Sequence, residues 1–86
     1  MTRLRNLDSI KKEFESKMNS LKEGSCICKT LNESHMLNMA MPEKNCITIS
    51  LWDWCKEDNA YTINRYIKEV KDDFDFIFDE IERIVY

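Results

Sequence analysis

Three patterns predict an α+β domain of order α-β-β-β-α: apolar residues at helical spacing near the N-terminus, a period of two between residues 25 and 54, and helical spacing again in the last third. Each pattern fixes one part of the expected architecture.

Leu4, Leu7, Ile10, Phe14, Met18 and Leu21 step by three and four, which gathers them onto one side of a helix. Gly24 follows where a left-handed C-cap is least costly for a residue without Cβ, and Lys22 suits the negative end of the helix dipole. The first helix is expected to end near residue 23. From Ser25 to Trp54 alternation takes over: Ile27 and Leu31, then Leu37 and Met39 against Met36 and Ala40, then Ile47, Ile49 and Leu51. Asn32-Glu33-Ser34 and Pro42-Glu43-Lys44-Asn45 supply the turns, so the simplest arrangement is a three-stranded antiparallel meander. The middle run, Met36 to Met41, is low in β-branched residues and fits one or two helical turns as well.

In the last third, Ile63, Ile67, Val70, Phe74, Ile77, Ile81 and Ile84 step alternately by four and three, a heptad seam widened by Tyr66, Phe78 and Val85. With Asp58 or Asn59 as its cap, this predicts one long helix over residues 60–85, roughly 38 Å at ~1.5 Å per residue. Seven residues of strand reach only ~23 Å at ~3.3 Å each. The surplus length predicts that Ile67, Phe74, Ile77 and Ile81 pack against the first helix, form a homodimer seam with a second copy, or do both.

The 86 residues make one small domain, 1–86, of a size that buries only a little over ~60% of the surface its unfolded chain exposes. Hydrophobic residues at 43% and charged residues at 34% are too apolar a mixture for a disordered tail and too polar for a membrane protein. The charged segment Met1 to Asp8 is unlike a signal peptide, and no run approaches the ~18 apolar residues of a membrane span. The expected location is the cytoplasm, where Cys26, Cys28, Cys46 and Cys55 are reduced thiols. A formal charge of −3 argues against direct nucleic-acid binding.

For catalysis the sequence offers little. It has no glycine-rich phosphate loop, and its single histidine, His35, lies beside a turn. A Cys-His nucleophile pair drawn from His35 and a cysteine stands against the plainer reading of a surface histidine and small buried thiols. The cysteine spacing, C-x-C, seventeen residues, then C-x8-C, departs from the paired knuckles of structural zinc sites, so no metal ligand is assigned. The acids of the last segment fall on the polar side of the predicted helix, where nothing raises a carboxyl pKa for general acid work.

Those acids suggest recognition instead. Asp72, Asp75, Asp79 and Glu82 form a ridge opposite the apolar seam, edged by Glu69, Asp73 and Glu80, and with Lys71 the net charge from Glu69 to Glu82 is −6. The segment before Gly24, with six cations against four carboxylates, is +2. Such a ridge either is a solvated face partly paired with the first helix or fills a cationic groove in place of phosphates. Phe76 projects from the same outer half, and Trp52 and Trp54 flank Asp53 away from the inward run. Tryptophans of this kind either cover an open sheet face or serve as interface anchors.

The expected function is a non-enzymatic protein-binding module, without cofactor, that offers Trp52, Trp54, Asp72, Asp75, Phe76, Asp79 and Glu82 to a basic, nucleic-acid-handling protein partner. Phage counter-defence inhibitors and bacterial immunity or antitoxin proteins share this size and polarity, an analogy of class, and a phage-encoded chain would act in the host cytoplasm. The alternatives are a homodimeric assembly subunit built on the helical seam and a small zinc-binding domain.

Overall fold

The computed structural model describes residues 7–85. Leu4, the first residue of the N-terminal apolar series, lies outside them. In chain order the elements are α1 (Leu7–Met18), β1 (Cys26–Thr30), β2 (His35–Glu43), β3 (Cys46–Asp53), β4 (Asp58–Tyr66), α2 (Ile67–Asp72) and α3 (Phe74–Val85). The class is α+β. The four strands form one antiparallel sheet in the order β1-β2-β3-β4, and the helices lie on one side of it.

The sheet therefore has four strands where three were expected. Residues 58–66, read from the sequence as the start of a helix, are a strand. Ile49 pairs with Ile63 and Ser50 with Thr62, so Tyr61 and Ile63 turn toward the core while Thr62 and Asn64 turn away. Tyr61, Ile63 and Ile67 share the parity of a period of two, interrupted by Arg65, just as Ile63, Ile67 and Val70 share a helical spacing. The local choice goes to the strand, because Tyr61, Thr62 and Ile63 suit a pleated surface and β3 gains a partner along its second edge. Asp58 and Asn59 accordingly open β4 and cap no helix. The middle run is strand β2 throughout.

The long C-terminal helix is a second correction. Helix begins only at Ile67, whose amide donates to the Asn45 carbonyl (2.7 Å), and it breaks at Asp73. There the backbone leaves helical geometry (φ −103°, ψ 14°). The Asp73 amide closes α2 by donating to the Glu69 carbonyl (3.0 Å), and its carbonyl opens α3 by accepting from Ile77 N–H (2.9 Å). Adjacent aspartates are weak helix formers, and Arg65 of β4 holds the Asp73 carboxylate at 3.2 Å. The twelve residues of α3 span roughly 18 Å at ~1.5 Å per residue, within the reach of the strands beneath. The surplus length that suggested a dimer seam is thus absent.

Leu7, Ile10, Phe14 and Met18 of α1 and Phe74, Ile77, Phe78 and Ile81 of the C-terminal segment all bury against Leu37, Met39, Ile47, Ile49 and Leu51 of the sheet. Phe14 meets Phe78 edge to face (centroids 6.2 Å apart), so helix packs on helix within the chain. Ile67 is half-buried at the start of α2. The first helix ends at Met18, five residues before its expected boundary, and Gly24 (φ 85°) is the third residue of a tight turn in which Ser25 N–H donates to the Lys22 carbonyl (3.0 Å). That is the type II position that favours glycine, here steering the chain into β1.

Candidate partner-binding surfaces

Helices on one side of a single sheet leave two faces that differ in chemistry. The outer surface of α3 carries four carboxylates and one guanidinium, a net charge of −3 equal to that of the whole chain, whereas α1 balances three acids with three lysines. The acidic ridge therefore runs from the end of α2 across the break into α3.

Part of that ridge is neutralised internally. Asp75 pairs with Lys11 of α1 (2.6 Å), and Asp8 and Asp79 add to the field on the same ammonium. The hydrogen bond to Asp75 is the largest influence and, with the other carboxylates, holds the Lys11 pKa above its ordinary value against the opposing effect of burial. Glu82 is half-buried and lines the same small cleft between α1 and α3. Asp73 and Glu80 are paired with Arg65 (3.2 Å) and Arg83 (2.9 Å). Among the described residues Asp72 and Asp79 are in no ion pair. Phe76 lies between them in sequence and is 58% exposed, while Phe14, Phe74 and Phe78 are all buried. Asp79 and Glu80, three and four residues on, flank its ring along the helix.

The tryptophans belong to the other face. Trp52 alternates with Leu51 and Asp53, which point to the helix side, so it projects from the open side of the sheet. Trp54, 52% exposed in the turn after β3, stands edge to face against it (5.8 Å, 79°). The seven residues expected to act as one surface are thus divided: Trp52 and Trp54 on the open sheet, Asp72, Asp75, Phe76, Asp79 and Glu82 on the helix layer. A sheet stands between the two groups.

The open face contains no charged side chain in its three cross-strand rows. The central row is Cys28, Asn38, Ser50 and Thr62; to one side lie Cys26, Ala40, Thr48 and Asn64; to the other, Thr30, Met36, Trp52 and Asn59. A fourth row, Glu43, Cys46 and Tyr66, lies beyond these and adds one carboxylate and an aromatic ring that is 63% exposed. Sequence reasoning passed over most of this face, because its outward positions on β4 become visible only once that segment is a strand.

The structure does bring His35 and Asp53 together as a cross-strand pair, with His35 Nε2 3.7 Å from Asp53 Oδ2. His35 Nδ1 faces Asn32 Oδ1 at 3.2 Å. Asp53 Oδ1 accepts from the amides of Cys55 (2.9 Å) and Lys56 (3.3 Å), and Asn32 Oδ1 accepts from those of Ser34 and His35 (2.8 Å each). The cluster closes two turns.

The four thiols are unpaired and do not converge. Cys28 bonds Asn38 across the strands, and burial first, then the neighbouring Cys26, raises its pKa. Cys46 lies on β3, and Cys55 sits in the β3–β4 turn 3.6 Å from the Ser34 hydroxyl. Among the described residues no three His, Cys, Asp or Glu side chains are grouped to hold a metal ion, and no helix is long and apolar enough to cross a membrane. An open cleft of about 400 Å³ lies where α1, the β2–β3 turn and α2 meet, floored by Met18, Leu21, Met41 and Ile67 and flanked by Lys22 and Lys44. No family model, curated protein or solved structure matches the chain.

Proposed function

We propose that the protein is a non-enzymatic binding module of the inhibitor kind that docks the outer face of α3 on a basic surface of another protein. Phe76 carries this reading. It is the one phenylalanine among four that the core does not use, and it stands among carboxylates that the chain only partly neutralises. A cationic partner would meet Phe76 as an apolar anchor, with arginine or lysine able to lie over its ring, and Asp72 and Asp79 as acceptors. Individual exposed ion pairs stabilise a complex by at most ~1 kcal/mol, so the acids chiefly accelerate encounter and the phenylalanine governs residence. Placement in a reducing cytoplasm accords with four unpaired thiols.

The test is capture from lysate on immobilised chain, with mass spectrometry of what is retained. The expected result is a basic protein whose retention falls with salt, is lost in Phe76→Ala and in Asp72→Lys with Asp79→Lys, and survives in Ser50→Arg. Asp75 is left intact because it holds Lys11. Undiminished capture by both helix-face variants would refute the reading.

A further inference from the structure

We infer that the uncharged face of the sheet is the interface between two copies of this chain, packed sheet against sheet about a two-fold axis near Ser50. Charged residues make up 34% of the sequence, yet none occupies the three rows of this face. A solvated face of an antiparallel sheet is polar, and in a chain so rich in charge its polar positions would be expected to include Lys, Glu or Arg. Seven of its twelve positions are Asn, Ser or Thr, Met36 and Trp52 supply the large apolar groups, and the depletion of charge is the feature it shares with interface cores. Met36, Asn38, Ser50 and Trp52 are already half-buried by their neighbours, and the indole Nε1 of Trp52 is out of water with no hydrogen-bond partner among the described residues.

Size and charge point to a second copy as the occupant. Strands of five, nine, eight and nine residues give the whole sheet a projected area on the order of 500 Å² at ~3.3 Å per residue and ~4.8 Å between strands. Side-chain relief and the flanking Trp54 raise the accessible area toward the ~800 Å² per partner of a standard interface. Small residues in the central row, Cys28, Asn38, Ser50 and Thr62, let two backbones approach to the ~10 Å of packed sheets. In that arrangement the three rows bring no charge into the contact, and Glu43 lies at its edge. The acidic α3 layers lie at opposite outer surfaces, ~30 Å apart with ~10 Å between successive layers, well beyond the ~8 Å screening length of physiological salt. A nucleic acid is disfavoured because the face offers phosphate no cation. The seam of Phe74, Ile77 and Ile81 is unavailable for pairing because it is already inside the core.

The experiment is sedimentation and light scattering of the full chain from about 1 μM to about 1 mM, the range of transient affinities, with reductant present so that exposed Cys26 and Cys28 cannot link copies covalently. The mass should rise toward twice 10.3 kDa, and tryptophan emission should shift to the blue over the same concentrations. Ser50→Arg, and independently Thr48→Glu, should weaken the dimer by at least about 100-fold while the circular dichroism stays unchanged, since each buries an unpaired charge. Phe76→Ala should dimerise as the parent does, which separates this surface from the one proposed for the basic partner. A parent chain that stays monomeric at about 1 mM, or charge variants that dimerise undiminished, would overturn the inference.

Discussion

Glu57 adopts φ 53° in the turn between β3 and β4, a left-handed conformation that its Cβ disfavours and its short sequence context does not announce. Asn45, at φ 66° in the preceding turn, suits the same region far better, because its short polar side chain tolerates it. Glu57→Gly is therefore expected to stabilise the fold by about 1 kcal/mol, seen as a higher urea midpoint with unchanged slope. A lower midpoint would mean that the glutamate side chain has a role that outweighs its backbone strain. Asp53 in the same turn is the opposite case: it is buried and accepts two amide hydrogen bonds while facing His35. Asp53→Ala should cost about 1–2 kcal/mol, the range for a lost cap, in the same titration. If that variant unfolds at the parent midpoint, the cluster is not the structural closure described above.

At the scale of the element, the decisive question is whether residues 58–66 are strand or helix, and one exposed threonine decides it by sign. In a helix Thr62→Ala would be stabilising, because alanine is the better helix former; in a strand it should lower stability by roughly 0.5–1 kcal/mol. The strand predicts the loss, measured by urea unfolding at a concentration where the chain is monomeric. This segment also shows where the sequence misleads. Leu7, Ile10, Phe14 and Met18 were legible as one buried side of α1, and the alternation through Ile47, Ile49 and Leu51 was legible as β3, because each series satisfies only one period. Ile63 and Ile67 satisfy two, and only the cross-strand pairing of Ile49 with Ile63 resolves them. The break at Asp73 was equally hidden, since the apolar series runs through it unbroken and Val70, Phe74, Ile77 and Ile81 are all buried as that series implies. The candidate surfaces were legible by residue type and not by arrangement. Phe76 stood out as an apolar residue on a polar side, but the pairing of Asp75 with Lys11 and the separation of Trp52 from the acids depend on how α1 and α3 lie against the sheet.

For the whole molecule, the helix layer and the open sheet divide charge so completely that a change of pH acts on them by different routes. Three groups have pKa values raised in the folded state: Cys28 on the open face, chiefly by burial; Tyr61 on β4, chiefly by burial; and Lys11 on α1, chiefly by its hydrogen bond to Asp75. For all three the sign is the same. A raised pKa means the folded state holds the proton more tightly than the unfolded chain, so the stabilisation is complete below the ordinary value and disappears as pH rises past it. The ordinary values are 9.0 for Cys28, 10.0 for Tyr61 and 10.5 for Lys11, which places the loss entirely on the alkaline side. The three should enter in that order. The urea midpoint is therefore expected to be level between pH 7 and pH 9 as far as these groups are concerned, then to fall with increasing steepness. Cys28→Ala should delay the onset of the fall. Lys11→Met, which removes the ammonium but keeps the stem that packs between α1 and α3, should flatten its steepest part and lower the midpoint at neutral pH. A Lys11→Met midpoint that falls as steeply as that of the parent above pH 10.5 would mean that the ion pair to Asp75 does not couple the two helices, and that the acidity of the α3 face is unrelieved by α1.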